Sequence, residues 1–297
     1  MYNLWVYFLI MHTLQSWQQQ GQYFSYRGNN IFYVEQGEGI PIVLLHGYPT
    51  ASFDWTYIWD ELLPNHKLLA PDFLGFGFSD KPKNHHYSII EQADIIVALL
   101  KEKQISRFHL VVHDYAVSVA QELMSRIIYN KNPGYELLSV CLLNGGLIPE
   151  LHRPVLVQKL LISPLGPLIG KLFNKKRFAK SFSQVFAPNK IPSQKEMDDF
   201  WALIQYNNGQ VIIHKLLHYI ADRKENRNRW VNVLVNPPMP VRLINGLQDP
   251  VSGKHLVDGY RLLVKIPNVV EIPDSGHYPQ IENPAAVLAA IKGLIDG

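Results

Sequence analysis

The chain has 297 residues, of which 47% are apolar, 18% charged and 11% aromatic, and its net charge is +3. A globular composition of this length can bury a sizeable core, which excludes a disordered or fibrous chain, and so mild a charge does not call for nucleic acid. The single cysteine, Cys141, excludes an internal disulfide, and nothing forces an oxidising compartment, so the expected location is cytoplasmic.

Leu4 to Met11 is apolar, but a spanning helix needs about 20 such residues, and no Lys or Arg precedes it as in a signal peptide. Residues 1–20 therefore read as a helix packing on the body or a frayed end. The other reading is an interfacial anchor with Trp5, Tyr7 and Phe8 at the headgroups. Phe24–Arg27 and Ile31–Glu35 predict a hairpin around Gly28-Asn29-Asn30. Ile40–Leu45 is a nearly continuous apolar run, which suits a buried parallel strand. Lys67–Ala70 reads as a strand, Glu91–Lys103 as a helix, Phe108–Val112 as a strand, Ala116–Ile128 as a helix and Glu136–Leu143 as a strand. From 147 to 235 no clear strand signal recurs, while Leu156–Leu161, Ser193–Tyr206 and Val211–Arg223 have helical character. Alternation then resumes with strands at Val241–Ile244 and Asn268–Ile272 and helices at Lys254–Val264 and Ala285–Ile295. The expectation is a mostly parallel, doubly wound α/β sheet formed by 21–146 and 236–297, with 147–235 as a helical cap.

In Val111-Val112-His113-Asp114-Tyr115-Ala116 a strand runs straight into a helix with Asp114 at the bend. That is the layout of a nucleophile elbow, although Asp there is also an ordinary helix N-cap. Val112 and Ala116 stand where such a turn usually has smaller residues. Three further segments weigh toward chemistry. His46-Gly47-Tyr48-Pro49 follows a strand, where backbone N–H groups of Tyr48 and Tyr115 would face a developing oxyanion. Asp249 follows a late strand, in Gly246-Leu247-Gln248-Asp249-Pro250. His277 follows the last strand, in Ser275-Gly276-His277-Tyr278-Pro279. Nucleophile, acid and histidine thus come in order at the C-terminal ends of predicted strands, where open α/β sheets build their sites.

On these residues the chain resembles the α/β-hydrolase superfamily, in the branch of epoxide hydrolases and haloalkane dehalogenases, and more closely the mesoderm-specific transcript proteins. The resemblance is carried by 46–55, by Asp72-Phe73-Leu74-Gly75-Phe76-Gly77-Phe78-Ser79-Asp80 and by His85-His86-Tyr87. Ala120-Gln121-Glu122-Leu123, His152-Arg153-Pro154 and Arg229-Trp230 extend it. It implies the α/β-hydrolase fold with a helical cap, and catalysis by Asp114, Asp249 and His277. It also implies membrane association, which family members combine with a longer apolar N-terminal segment. Dehalogenases usually carry Asn and Trp where this chain has Tyr48 and Tyr115. Epoxide hydrolases carry two cap tyrosines, for which Tyr206 and Tyr219 are the candidates.

The expected reaction is attack by Asp114 on carbon, an alkyl-ester intermediate, and hydrolysis by water activated by His277. The expected partners are water and a small to medium apolar substrate, since the cap is rich in Phe, Leu and Ile. Haloalkane dehalogenation and a catalytically silent or lipid-binding protein are the alternatives. Gly75-Phe76-Gly77 lacks the third glycine of a dinucleotide fingerprint, and no Cys/His cluster offers a metal site, so no cofactor is expected. Over 147–235 there are fourteen Lys or Arg against six Asp or Glu, so a membrane-surface contact is the alternative to a solvated helical face.

Overall fold

The structure is a computed structural model that describes residues 12–130 and 133–297. Leu4–Met11 lies outside them. One eight-stranded sheet runs in the order β1-β2-β4-β3-β5-β6-β7-β8. Its strands are β1 (Gln22–Tyr26), β2 (Asn29–Gln36), β3 (Ile40–Leu45), β4 (His66–Pro71), β5 (Arg107–His113), β6 (Glu136–Leu143), β7 (Val241–Gly246) and β8 (Val269–Ile272). β1 and β2 pair antiparallel, as do β2 and β4, while every pairing from β4 through β8 is parallel. The parallel strands are buried on both faces, and so lack the alternation of a half-exposed strand.

The helices in the first half of the chain are α1 (Leu14–Gln20), α2 (Thr56–Leu62), α3 (Ile89–Glu102) and α4 (Tyr115–Tyr129). Between β6 and β7 come α5 (Leu156–Ile162), α6 (Gly166–Leu172), α7 (Lys175–Phe182), α8 (Gln194–Gln205), α9 (Ile213–Leu216), α10 (Tyr219–Glu225) and α11 (Arg227–Val235). These helices form what is here called the cap. The chain closes with α12 (Lys254–Leu263), α13 (Pro279–Glu282) and α14 (Pro284–Ile295).

One local expectation changes. The hairpin turns at Arg27-Gly28, both at positive φ, and Asn29 and Asn30 already belong to β2. A two-residue turn of this kind matches the twist of the flanking strands, so the ladder reaches one pair further than composition suggested. The first turn of α2 is entered from a 3-10 turn at Ser52–Trp55, whose buried aromatics hide a helical period in the sequence.

The two faces of the sheet carry separate apolar cores. Trp17 of α1, Trp55 and Trp59 pack with Ile42, Leu44 and Val111 on one face. The other face joins Val43, Leu45 and Val112 to α3, α4 and the inner side of the cap. The cap is therefore continuous with one half of the core rather than a separate body. Its polar anchor is Glu122 of α4, whose carboxylate accepts from Arg229 at 3.0 Å twice, from Trp230 Nε1 at 2.8 Å and from Arg126 at 2.8 Å. Gln121 donates to the carbonyls of Leu147 and Trp230, at both ends of the cap. The Gln121-Glu122 and Arg229-Trp230 motifs thus meet in space and set where the cap sits over the strand ends.

Candidate active site

β5 ends at His113 and α4 begins at Tyr115, leaving Asp114 as the one connecting residue, at φ 44° and ψ −100°. That conformation is strained for a residue with a Cβ and needs outside support. Support comes from carbonyls of the β6 end: the Asp114 N–H donates to Leu143 at 3.2 Å and Asn144 at 3.0 Å. The close approaches at the bend fall on Gly47 and Gly145. A Cβ on Gly47 would lie 2.6 Å from His113 Nδ1 and 2.9 Å from the Asp114 Cβ; one on Gly145 would lie 2.8 Å from the Asp114 carbonyl. Val112 and Ala116 are simply buried, so the room their positions do not supply is supplied by the neighbouring loops.

Three loops converge on the Asp114 carboxylate. From the loop after β3, the Tyr48 N–H donates to Oδ2 at 3.2 Å. From the loop after β8, His277 Nε2 stands 3.7 Å from Oδ1. That is ion-pair distance but beyond a good hydrogen bond. From the loop after β7, Asp249 Oδ2 receives His277 Nδ1 at 2.7 Å, Ser252 Oγ at 2.6 Å and Asn144 Nδ2 at 2.9 Å, while Oδ1 receives the Val251 N–H at 2.7 Å. The N–H of Tyr115, expected beside that of Tyr48, makes no described bond to Asp114.

Burial, taken alone, would raise both carboxyls and lower the imidazole. For Asp249 the His277 charge and its donors outweigh burial and hold its pKa at about 2. For Asp114 the His277 imidazolium at ion-pair distance, followed by the charge of Arg223, overcomes burial and keeps it well below the usual carboxylate range. Between two anions, His277 is pushed up to about 10 against burial, first by Asp249 and then by Asp114. The resting site is thus a carboxylate, an imidazolium and a second carboxylate.

Several residues that complete this arrangement carry no recognisable motif. Glu282, at the end of α13, is 5% exposed and accepts the N–H groups of Gly276 (2.7 Å), Tyr278 (3.0 Å) and, across in the cap, Ala187 (2.9 Å). It clamps both sides of His277. His113 Nε2 donates to the His277 carbonyl at 2.7 Å, and burial holds its own pKa down to about 3, so it is a neutral donor. Tyr278 donates its hydroxyl to the Tyr48 carbonyl at 3.1 Å, tying the histidine loop to the His46-Gly47 loop. Arg223 of α10 is buried, with Nη2 on the Asp114 carbonyl at 2.9 Å, Nε on Ser118 at 2.6 Å and its guanidinium over the Tyr219 ring at 4.4 Å. A helix in the cap with alternating charge gave no hint that one arginine would run inward to the elbow.

A narrow cavity of about 50 Å³ opens beside His277, lined by Tyr48, Gln158, Leu161, Phe178 and Phe182 among others. Ligand pockets are usually upward of about 300 Å³, so this cavity is small for one. The four tyrosines separate. Tyr48 lines the cavity. Tyr219 stands one layer behind, its ring 6.2 Å from that of Tyr48 and its hydroxyl accepting from the cavity residue Gln158 at 3.5 Å. Tyr115 turns away, packed on Phe73, Phe76 and Tyr219 with its phenol toward Gln92 of α3. Tyr206 is a correction: it packs on Phe78 and Lys81 and borders surface grooves with Tyr23 and Asn207, away from the cavity. The left-handed Asn207 and Asn208 turn the chain after α8 and leave it outside. Among the described residues no group of His, Cys, Asp and Glu could hold a metal ion, and no helix is long and apolar enough to cross a membrane.

Comparison with known proteins agrees with this fold. The chain is 44% identical over 295 residues to the mesoderm-specific transcript homolog protein of Bos taurus, covering 96% of this chain and 88% of that one. Among solved structures, haloalkane dehalogenase DbeA from Bradyrhizobium elkani aligns with a TM-score of 0.77 at 21% identity, over 93% of this chain and 97% of that one. The epoxide hydrolase CorEH aligns with a TM-score of 0.74 at 17% identity, over 93% and 98%. Residues 42–290 match the family described as alpha/beta hydrolase. With the sheet order, the elbow and this match together, the chain belongs to the alpha/beta hydrolase family.

Proposed function

We propose that Asp114 is a carbon-directed nucleophile and that the protein hydrolyses a small to medium apolar substrate through a covalent alkyl ester, in the manner of an epoxide hydrolase. The observation that carries this is the carboxylate itself: an aspartate on the elbow, held ionised, with Oδ2 on the Tyr48 N–H and Oδ1 facing His277 without a close hydrogen bond. A serine at such a position suits acyl transfer; a carboxylate suits substitution at carbon.

In the first step an Asp114 oxygen bonds to the epoxide carbon as the carbon–oxygen bond of the ring breaks. The alkoxide takes a proton from the Tyr48 hydroxyl, which burial keeps protonated, and the imidazolium of His277 restores the balance. Esterification removes one of the two anions that held the proton on His277, so the imidazole becomes a base only after the ester exists. In the second step water adds to the ester carbonyl while His277 takes its proton, and the Tyr48 N–H stabilises the oxyanion. The alcohol leaves with the remaining proton, and Asp114 is again a carboxylate carrying an oxygen from water. Tyr48 supplies an O–H donor at the cavity where a dehalogenase has a halide grip, which favours an oxygen leaving group.

The test is a single turnover in heavy-oxygen water on a panel of epoxides, haloalkanes and esters. Label in the Asp114 carboxylate with diol formation is the expected result. Label only in product excludes the covalent route. Label in Asp114 with halide release but no diol replaces the epoxide reading by the dehalogenase one. No turnover and no adduct with any of the panel makes this a silent member of its family.

A further inference from the structure

Six of the fourteen large apolar side chains that stand exposed among the described residues fall on two neighbouring cap helices. They are Leu156, Leu160 and Ile162 at α5 and Leu165, Leu168 and Leu172 at α6, between 44% and 71% exposed. α5 and α6 pack against each other, so these side chains share one outer surface. The inner surface of the same unit lines the cavity through Val157, Gln158 and Leu161, with Phe173 just beyond α6. Along the chain that carries the ridge the charge is of one sign. From Leu151 to Lys195 there are nine Lys or Arg and no Asp or Glu. Lys175 is paired with Asp198, but Lys159, Lys171, Lys176 and Lys180 are exposed and make none of the ion pairs described.

We infer that the outer face of α5 and α6, with these four lysines, is a docking surface for an anionic phospholipid bilayer. Its apolar ridge enters the headgroup boundary, and the substrate passes from the bilayer into the cavity beneath. An exposed apolar surface of this kind marks an interaction site, and leucine with lysine is the composition of an interfacial element. Protein interfaces instead favour aromatic residues and arginine and are depleted in lysine. A second copy of this chain would set one all-basic surface against another, which an isologous contact cannot relieve. Bilayers with anionic lipid satisfy both halves: acyl chains take the leucines, and the surface potential attracts each lysine. Only the delivery of substrate rests on the hydrolase reading above; the docking does not.

The experiment is flotation of the purified full chain with vesicles of phosphatidylcholine, with and without phosphatidylserine. The chain is expected to float with the anionic vesicles and to be released by salt. Replacing Leu156, Leu160, Leu165 and Leu168 by Ser should weaken binding by about tenfold or more, since each exposed leucine leaves the acyl boundary. Replacing Lys159, Lys171, Lys176 and Lys180 by Gln should cost about fivefold per lysine, on anionic vesicles only. None of the eight lines the cavity, so an unchanged circular-dichroism melt is expected for both variants. Asp114→Asn should bind as the parent does; with the binding result, this separates failure of docking from failure of the hydrolase reading. Absence of flotation overturns the proposal. So does binding that survives the leucine variant, which keeps Leu4–Met11 intact and would place the contact elsewhere. A solution dimer that the leucine variant dissociates, without vesicle binding, assigns the ridge to a second copy instead.

Discussion

The strand-end loops and the cap solve opposite problems with the same chain. At the strand ends the carboxylates are densely bonded: Asp249 accepts four bonds, Asp114 is held at its N–H and its carboxylate, and Glu282 accepts three N–H groups. In the cap six large apolar side chains at α5 and α6 lie open to solvent, and Lys159, Lys171, Lys176 and Lys180 make none of the ion pairs described. A reacting centre requires groups held within about half an ångström, which only a dense bond network gives. Access requires the reverse, since a cavity of about 50 Å³ is small for a ligand and widens only if its walls move. The two regions meet at few polar points, chiefly Glu122, Arg223 and Glu282.

The sharpest way to break this division is at Asp114. Asp114→Ala should lower turnover by about 10⁴-fold or more, as removal of a covalent nucleophile does. It should shift the melting temperature by a few degrees at most, because the Asp114 N–H bonds that hold the bend remain and only the Tyr48 contact and the His277 ion pair are lost. A large loss of stability instead would mean that the elbow is held by its side chain. Arg223→Met tests whether the cap reaches the chemistry. It removes the bond to the Asp114 carbonyl and the charge that helps hold that carboxyl low. The expected result is a loss of about 10–100-fold in kcat with the acid limb of the pH profile moved upward, partly restored by Arg223→Lys. A change in KM alone would confine Arg223 to positioning the cap.

His277 sharpens the comparison through pH. Its folded pKa of about 10 lies above the ordinary value, so its contribution to stability is complete below about pH 6.5 and is lost as pH rises through 10. Asp249, held at about 2, contributes above about pH 4 and loses that contribution as pH falls through 2. The melting temperature should therefore decline by several degrees from neutral to alkaline pH, and His277→Gln should flatten that decline. The same variant should accumulate ester, visible by intact mass. The smallest effects come from the tyrosines. Tyr48→Phe should slow epoxide opening by about 10-fold while sparing any haloalkane turnover. Tyr206→Phe should change neither rate by more than about twofold, as expected of a surface substitution away from the site. Equal losses in the two variants would remove the grounds for an oxygen leaving group.

The sheet and the order Asp114, Asp249, His277 were readable in the sequence because they depend on local signals: apolar runs that end in Gly, Asp or His at a strand terminus. Tyr206 misled because its spacing from Tyr219 said nothing of the left-handed turn at Asn207-Asn208 that leaves it outside. The direction of Tyr115 was equally hidden, since it follows from Phe73 and Phe76 in a distant loop. Arg223 and Glu282 carry no pattern of their own; Arg223 takes its role from Asp114, 109 residues away in the chain, and Glu282 takes part of its role from Ala187 in the cap. The glycines at 47 and 145 were visible as letters, but the crowding that requires them exists only once three loops converge.

Glu282 has a consequence for timing. One carboxylate holds the two N–H groups that flank His277 and a third on Ala187 of the cap, and the His277 N–H itself donates to the Val185 carbonyl at 2.8 Å. Any displacement of the cap at that point strips an acceptor from the backbone that carries the base. Under the mechanism proposed above, admission of a molecule and activation of water become competing events. Under that mechanism the protein would work as an airlock, the histidine being set for its second step only once the outer door has closed.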